Sequence, residues 1–303
     1  MEKYNDIQKR ILALKEEKSA FILAHYYVPL DVQDIADIVG DSFEMAKRAK
    51  ETKEKLIIVC GVRFMGESAK LLSPDKKVLI PVADAGCPMA DMVTPEDIRR
   101  LKAKHPNAVV MCYVNTSAAV KAECDVCCTS SSALRIAGSL DAEEIIFVPD
   151  IHLAEYTASK LPEKKFIFHN GFCPTHHRVT EADVLAAKKA HPDAKVAVHP
   201  ECRAEVIKLA DFVGSTSEII RFARETDAKE VLIGTEMEIV ARLQRELPDK
   251  KFYSVTSAFV CPNMKKVTLQ AVLNCLENEE YEINIEKDEA DAARSSLDKM
   301  VAR

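Results

Sequence analysis

Three Cys-Pro pairs, Cys87-Pro88, Cys173-Pro174 and Cys261-Pro262, stand 86 and 88 residues apart in a chain of 303 residues, and none of its other seven cysteines precedes a proline. Recurrence at such a period marks a chain built from copies of one supersecondary unit. Other positions keep the register. His25-x-Tyr27, Tyr113-x-Asn115 and His199-x-Glu201 recur at 88 and 86 residues, and so do Gly40-Asp41-Ser42, Cys128-Thr129-Ser130 and Gly214-Ser215-Thr216. From first copy to third every landmark moves by 174 residues, 25 to 199, 42 to 216 and 87 to 261. The chain therefore reads as three units, each bringing one thiolate to a shared place.

Within each unit, short apolar runs alternate with helical stretches. The runs at 20–24, 56–60, 77–80, 108–112, 144–148, 165–168, 195–198, 230–233 and 251–255 lack strict polar alternation. That pattern suits strands of a parallel sheet buried on both faces. Helical patterns at 43–53, 97–104, 182–191, 218–224 and 238–246 lie between them. The expected fold is α/β: three pseudo-threefold-related αβα units with parallel sheets around a central active-site cavity. The expected divisions are 1–106 with an N-terminal helix, 107–193, and 194–303 with a C-terminal helix.

Composition narrows the class. The chain carries 42 basic against 48 acidic residues, a formal net charge of -6, and has no basic block, so it lacks the electrostatic footprint of a nucleic-acid binder. The stretch Met1-Glu2-Lys3-Tyr4-Asn5-Asp6 lacks the apolar core of a signal peptide, and no apolar run approaches the ~20 residues that span a bilayer. The expectation is a cytoplasmic protein with no membrane attachment. There the ten cysteines stay reduced, which favours metal or catalytic use over a disulfide framework.

In open parallel sheets ligands bind beyond the carboxyl ends of the strands and at helix N-termini. The landmarks fall there, so one cavity would hold His25, Tyr27, Tyr113, Asn115, His199 and Glu201, with Ser42, Ser130 and Thr216 at helix starts. Thiolates select zinc, copper(I) or iron-sulfur clusters, and closed zinc sites use paired ligands that Cys87, Cys173 and Cys261 do not form. A cubane cluster takes four cysteines. One held by three leaves an iron open to a substrate oxygen, which points to dehydratase-like chemistry. The helix-start hydroxyls suit anions, against the plainer role of N-capping. Glu201 is a candidate general base whose pKa burial would raise toward neutrality, against a solvated glutamate near a helix start. Cys124, Cys127 and Cys128 form a weak local pattern better read as buried thiols, as do Cys60 and Cys112. Cys202 has no partner in the other units. Of His176 and His177, His176 is the better placed for the cavity.

Several runs resemble the quinolinate synthases: Ile22-Leu23-Ala24-His25-Tyr26-Tyr27, Gly40-Asp41-Ser42, Met111-Cys112-Tyr113-Val114-Asn115, Gly171-Phe172-Cys173-Pro174-Thr175-His176, Val198-His199-Pro200-Glu201-Cys202 and Gly214-Ser215-Thr216. The resemblance covers nearly the whole chain. It implies a 4Fe-4S cluster held by Cys87, Cys173 and Cys261 with one open iron site. It also implies condensation of iminoaspartate with dihydroxyacetone phosphate to quinolinate, with loss of phosphate and water, in de novo NAD biosynthesis. An aspartate-oxidising enzyme would supply the iminoaspartate. The implied substrate contacts are His25, Ser42, Tyr113, Val114, Asn115, Ser130, His176, His199, Pro200, Glu201 and Thr216, with Glu201, Tyr27, Tyr113 and His199 in catalytic roles. Some members carry a Cys-x-x-Cys-x-x-Cys run at the last ligand, which Cys261-Pro262-Asn263-Met264-Lys265-Lys266-Val267 lacks. Two rivals stand beside this assignment. One is another three-cysteine cluster enzyme of similar design, such as an isoprenoid hydroxydiphosphate reductase or a diphthamide-forming radical enzyme. The other is a non-catalytic iron-sulfur carrier or sensor.

Overall fold

The computed structural model describes residues 4–302, and the elements below lie among them. Unit 1 contributes β1 (Ala20–His25), β2 (Ile38–Gly40), β3 (Leu56–Cys60) and β4 (Lys77–Leu79). Unit 2 contributes β5 (Val109–Tyr113), β6 (Val126–Cys128), β7 (Glu144–Val148) and β8 (Lys165–Phe168), and unit 3 β9 (Lys195–Val198), β10 (Phe212–Val213), β11 (Glu230–Gly234) and β12 (Lys251–Ser254). Every pairing is parallel, and the order is the same three times, β2-β1-β3-β4, β6-β5-β7-β8 and β10-β9-β11-β12. The α/β expectation of three units holds. β3 is buried along its length, as a strand covered on both faces must be.

The nine apolar runs all become strands, but β2, β6 and β10 have no such run. These edge strands are two or three residues long, too short for periodicity to register. A repeated aspartate holds each one. Asp37, Asp125 and Asp211 stand at the same 88 and 86 spacing. Their carboxylates accept from the backbone N–H of Ile22, Val110 and Val196, each at 2.8 Å.

Two further devices recur. Lys76, Lys164 and Lys250 each donate to carbonyls at the end of the second helix back, Ser42–Glu51, Ala133–Ser139 and Thr216–Glu225: Ala49 and Thr52 at 2.8 and 2.5 Å, Leu140 and Ala142 at 2.6 and 3.0 Å, Ala223 and Thr226 at 3.0 and 2.5 Å. These are the orphan carbonyls that a helix C-terminus leaves behind. Seven residues after each Cys-Pro cysteine, Thr94, Thr180 and Thr268 cap the next helix.

The last helix of each unit packs on the first short helix of the next: Pro95–Lys104 on Ala118–Ala122, Glu181–Ala190 on Ala204–Ile207, and Leu269–Asn278 on Leu30–Gln33. The third contact closes the ring. The C-terminal helix Lys287–Val301 lies against Arg63–Leu72, Ala118–Ala122 and β6, bridging units 1 and 2. One apolar interior runs through those two units and includes Leu276 and Leu297. Unit 3 has its own interior on either face of its sheet, around Phe259 and around Ile233. Among the described residues no helix is long and apolar enough to cross a membrane.

Candidate active site

The carboxyl ends of the first strands in all three sheets open onto one cavity. Its wall carries His25, Tyr27 and Ser42 from unit 1, Tyr113, Val114, Asn115, Ser130 and His176 from unit 2, and His199, Glu201 and Thr216 from unit 3. Cys87, Cys173 and Cys261 line it as well. Pro200 is buried between His199 and Glu201 and does not form part of the wall. His177, by contrast, turns to His152 Nε2 at 2.8 Å and to Arg203 at 3.0 Å.

Glu201 is the junction of the site. Its Oε1 accepts from the Tyr113 hydroxyl at 2.7 Å, and its Oε2 lies 2.8 Å from His176 Nδ1 and 3.8 Å from His199 Nδ1. Tyr27 Oη contacts Thr216 Oγ1 at 2.8 Å and Thr235 Oγ1 at 2.7 Å, while His176 Nε2 lies 3.0 Å from that same Thr235 oxygen. The Nδ1 atoms of His25 and His199 accept from the backbone N–H of Tyr27 and Glu201 at 3.2 and 3.3 Å. With Nδ1 engaged as an acceptor, each neutral ring carries its proton on Nε2. Asn115 Oδ1 is buried without a hydrogen-bond partner in the protein, the mark of a polar atom that awaits a ligand.

Burial sets the charges. It pushes His25 down to about 3 and His199 to about 4, so both rings are neutral at pH 7. It pushes Tyr27 and Tyr113 well above 10, and both phenols keep their protons. At Glu201 burial also pushes upward, but the His199 and His176 rings and the hydrogen bonds from His176 and Tyr113 outweigh it. The carboxyl is held well below its usual range. The expectation of a Glu201 pKa raised toward neutrality is therefore corrected: Tyr113 and His176 both hydrogen-bond the carboxylate, and desolvation does not decide.

The helix-start hydroxyls are spared ordinary capping. Asp41 caps the helix Ser42–Glu51 through the N–H groups of Phe43 and Glu44, at 3.1 Å each, and Ser215 caps Thr216–Glu225 in a reciprocal box with Glu218. In unit 2 the cap position of Ala133–Ser139 is Ser132. Ser42, Ser130 and Thr216 are thus displaced onto the cavity wall. At Gly40 a Cβ would lie 2.8 Å from Glu44 Cβ, which explains the bare backbone before that helix.

The three Cys-Pro cysteines are free thiols of intermediate exposure. Burial pushes Cys87 up to about 12 and raises Cys173 and Cys261, while backbone N–H groups two or three residues on point at each sulfur and pull the other way. Thiols held like this ionise only beside a compensating positive centre. The cradle repeats at all three. Cys173, His176 and Glu201 place ligand atoms within 4.8 Å of one another, among the described residues the one trio compact enough for a single ion. Cys87, Cys173 and Cys261 form no such trio, and a four-iron cluster spreads its thiolates wider than one ion does. The donor set and its repeated N–H cradle fit an iron-sulfur group. The other thiols are buried: Cys112 and Cys127 touch at 3.4 Å across β5 and β6, and Cys60, Cys124, Cys128, Cys202 and Cys275 belong to the interior.

Sequence inspection missed several residues that shape the site. Asp150 and Glu236, both fully buried, accept from the backbone N–H of Cys173 and Cys261 at 3.1 and 3.4 Å. Gln33 Nε2 donates to the Tyr26 and Val28 carbonyls at 3.0 and 2.8 Å, and the buried Lys121 Nζ donates to the equivalent Val114 carbonyl at 2.8 Å and to that of Thr116. Asp150 and Glu236 stand 86 residues apart and Gln33 and Lys121 88 apart, so extending the repeat arithmetic beyond the chemically suggestive residues would have found them. Arg178 is the only Lys or Arg among the residues on the cavity wall, anchored by Nε to the Pro174 carbonyl at 3.0 Å.

A family model described as quinolinate synthetase A protein matches residues 9–302. The chain is 52% identical over 295 residues to a quinolinate synthase of Caldicellulosiruptor saccharolyticus, covering 97% of each chain. It is 49% identical over 291 residues to one of Alkaliphilus metalliredigens and 46% over 292 residues to one of Clostridioides difficile, covering 96% of each chain in both comparisons.

Proposed function

The chain belongs to the quinolinate synthetase A family, and from that premise we propose that it condenses iminoaspartate with dihydroxyacetone phosphate to quinolinate in NAD biosynthesis. The balance is one phosphate and two waters released per ring formed. One observation carries the proposal. Three cysteines from three units line the same cavity as a carboxylate, Glu201, that is tied to Tyr113 and His176.

Cys87, Cys173 and Cys261 would hold a 4Fe-4S cluster, which when bound supplies a Lewis-acidic iron for a substrate oxygen. The remaining chemistry belongs to side chains. Glu201, ionised at neutral pH, is the proton acceptor, and its low basicity calls for a substrate proton acidified by a neighbouring imine or carbonyl. Tyr27 and Tyr113 retain their protons and are the donors. His25 and His199 present Nε2–H groups to carboxylate oxygens, with Ser42, Asn115, Ser130 and Thr216 completing the anion contacts and Val114 and Pro200 setting the backbone of their loops. Arg178 supplies the guanidinium that matches a phosphate in geometry and charge.

The test is iron and sulfide analysis of anaerobically purified protein coupled to a quinolinate assay. About four irons per chain, with quinolinate formed from the two substrates without S-adenosylmethionine or an electron donor, is the expected result. A cluster-loaded protein that forms no quinolinate would end this assignment.

A further inference from the structure

Lys265 ends the short helix Pro262–Lys265 that begins at the third Cys-Pro cysteine. An ammonium has three N–H donors and no acceptor. Here each donor has an oxygen: Glu236 Oε1 at 2.9 Å, Glu238 Oε2 at 2.7 Å and the Tyr27 carbonyl at 2.8 Å. The carboxylates belong to unit 3 and the carbonyl to unit 1, so the side chain spans the junction that closes the ring. Both carboxylates reach further. Glu236, with none of its side chain exposed, accepts from the Cys261 N–H through the same Oε1 at 3.4 Å, and Glu238 Oε1 accepts from the Leu30 N–H of unit 1 at 3.0 Å. One cation thus stands between the backbone of a Cys-Pro cysteine and the backbone of the Tyr27 loop.

The repeat gives this position a meaning. Four residues after Cys173, as Lys265 is four after Cys261, stands His177. It makes the corresponding two contacts, with His152 in its own unit at 2.8 Å and with Arg203, two residues past Glu201 in the next unit, at 3.0 Å. His152 and Glu238 are themselves equivalent, 86 residues apart. The wiring is shared and the chemistry is not. A neutral ring suffices to bridge units 2 and 3, whereas the bridge from unit 3 to unit 1 carries a charge that the buried Glu236 carboxylate requires.

We propose that Lys265 is a positioning residue that couples the cluster site to the catalytic loop of unit 1. Its ammonium fixes the Cys261 backbone through Glu236 and the Tyr27 backbone directly, so retention of the cluster and placement of the Tyr27 phenol depend on one side chain. This rests on the reading of Cys261 as a cluster ligand and of Tyr27 as a proton donor.

Lys265→Met does two things that can be separated. It strands the Glu236 charge in the interior, and it cuts the tie between the units. Adding Glu236→Gln removes the first defect and leaves the second, because the glutamine oxygen still accepts from the Cys261 N–H without a charge. The single variant, with its cluster loaded anaerobically, should lose iron to a ferrous chelator at least fivefold faster than native protein. Its kcat should fall at least tenfold with KM for both substrates within about threefold, as for an interaction felt in the transition state. The double variant should regain the native denaturation midpoint yet keep the fast iron release and the low kcat. Recovery of either reading to within twofold of native in the double variant would reduce Lys265 to a counter-charge for Glu236 and overturn the coupling. Native iron release and turnover in the single variant would do the same, and if that variant does not fold, the double variant carries the test. A native protein that loads its cluster but forms no quinolinate would instead end the catalytic reading. Lys265 would then be judged on iron release and on a crystal structure of the double variant: the Tyr27 hydroxyl should leave hydrogen-bond distance of Thr216 Oγ1, and an unmoved Tyr27 counts against the proposal.

Discussion

The sheets of units 1 and 2 are fused through one apolar interior and a bridging C-terminal helix, whereas the sheet of unit 3 has a separate interior on each face. The helix Leu269–Asn278 of unit 3 reaches into the interior of unit 1, Val179 and Val184 of unit 2 reach into that of unit 3, and polar contacts flank these, with Arg245 on Asp34 at 2.8 and 3.0 Å, Arg242 on Gln33 at 2.7 Å and the Leu30 N–H on Glu238 at 3.0 Å. The strand-end loops differ in the same way. In units 1 and 2 they are pinned from behind by Gln33 and Lys121. The equivalent residue in unit 3 is Ile207, which has no donor to offer. The loop carrying Glu201 is instead held from the front, by Tyr113 and His176. A threefold sequence repeat thus yields two loops pinned from behind and a third whose key carboxylate is positioned by side chains of unit 2.

The largest effects should ignore that difference. Each unit gives one cysteine, so Cys87→Ala in the fused pair and Cys261→Ala in unit 3 should both abolish the cluster and turnover. Anaerobic preparation and absorbance spectroscopy check this, and a full cluster spectrum in either variant would remove that cysteine from the ligand set. Glu201→Gln should keep the cluster but lose about 10²-fold or more in kcat. Native-like turnover would reduce the front-held loop to a structural feature.

Much of this was legible because the repeat places chemically distinctive residues at one spacing. Cys-Pro pairs, His-x-Tyr and Gly-Asp-Ser turns identify the strand ends without knowledge of any contact. The edge strands β2, β6 and β10 were not legible, since two or three residues held by an aspartate make no periodic signal. Nor was the Glu201 charge state, which depends on side chains from units 2 and 3 meeting at one carboxylate. Thr235 was hidden for the opposite reason. Only unit 3 has a hydroxyl there, and a search for what repeats passes over what does not.

The back pin sharpens the comparison at intermediate cost. Lys121→Met leaves two buried carbonyls without a donor, which should destabilise the protein by about 2 to 3 kcal/mol. Lys121→Gln copies the pin of unit 1 and should recover part of the loss in chemical denaturation. Equal stability of the two variants would mean that packing, and not the carbonyl bonds, keeps Lys121 inside.

Acid should strain units 1 and 3 together. His25 and His199 have folded pKa values of about 3 and about 4 against 6.5 for the free side chain. The unfolded chain therefore binds more protons between those values. Stability from each group is complete above pH 6.5 and is lost as pH falls toward about 4 for His199 and about 3 for His25, at up to about 1.4 kcal/mol per pH unit and group. Denaturation midpoints at pH 7, 6 and 5 measure it. His25→Gln and His199→Gln should each flatten the slope, and a slope that neither changes would mean the rings are protonated in the fold.

The smallest effect is the most pointed. Ile207→Gln offers unit 3 the donor that units 1 and 2 possess, at a half-buried position on the equivalent helix. Its expected effect on stability is within about 0.5 kcal/mol, as for substitutions that break no buried bond. If the front-held loop is already fixed by Tyr113 and His176, the new pin has nothing to add and turnover should stay within about twofold of native, less than a lost hydrogen bond would cost. A clear change in kcat with the cluster intact would mean that the absent pin is itself part of how Glu201 works, and that the looser support of unit 3 at this loop is functional.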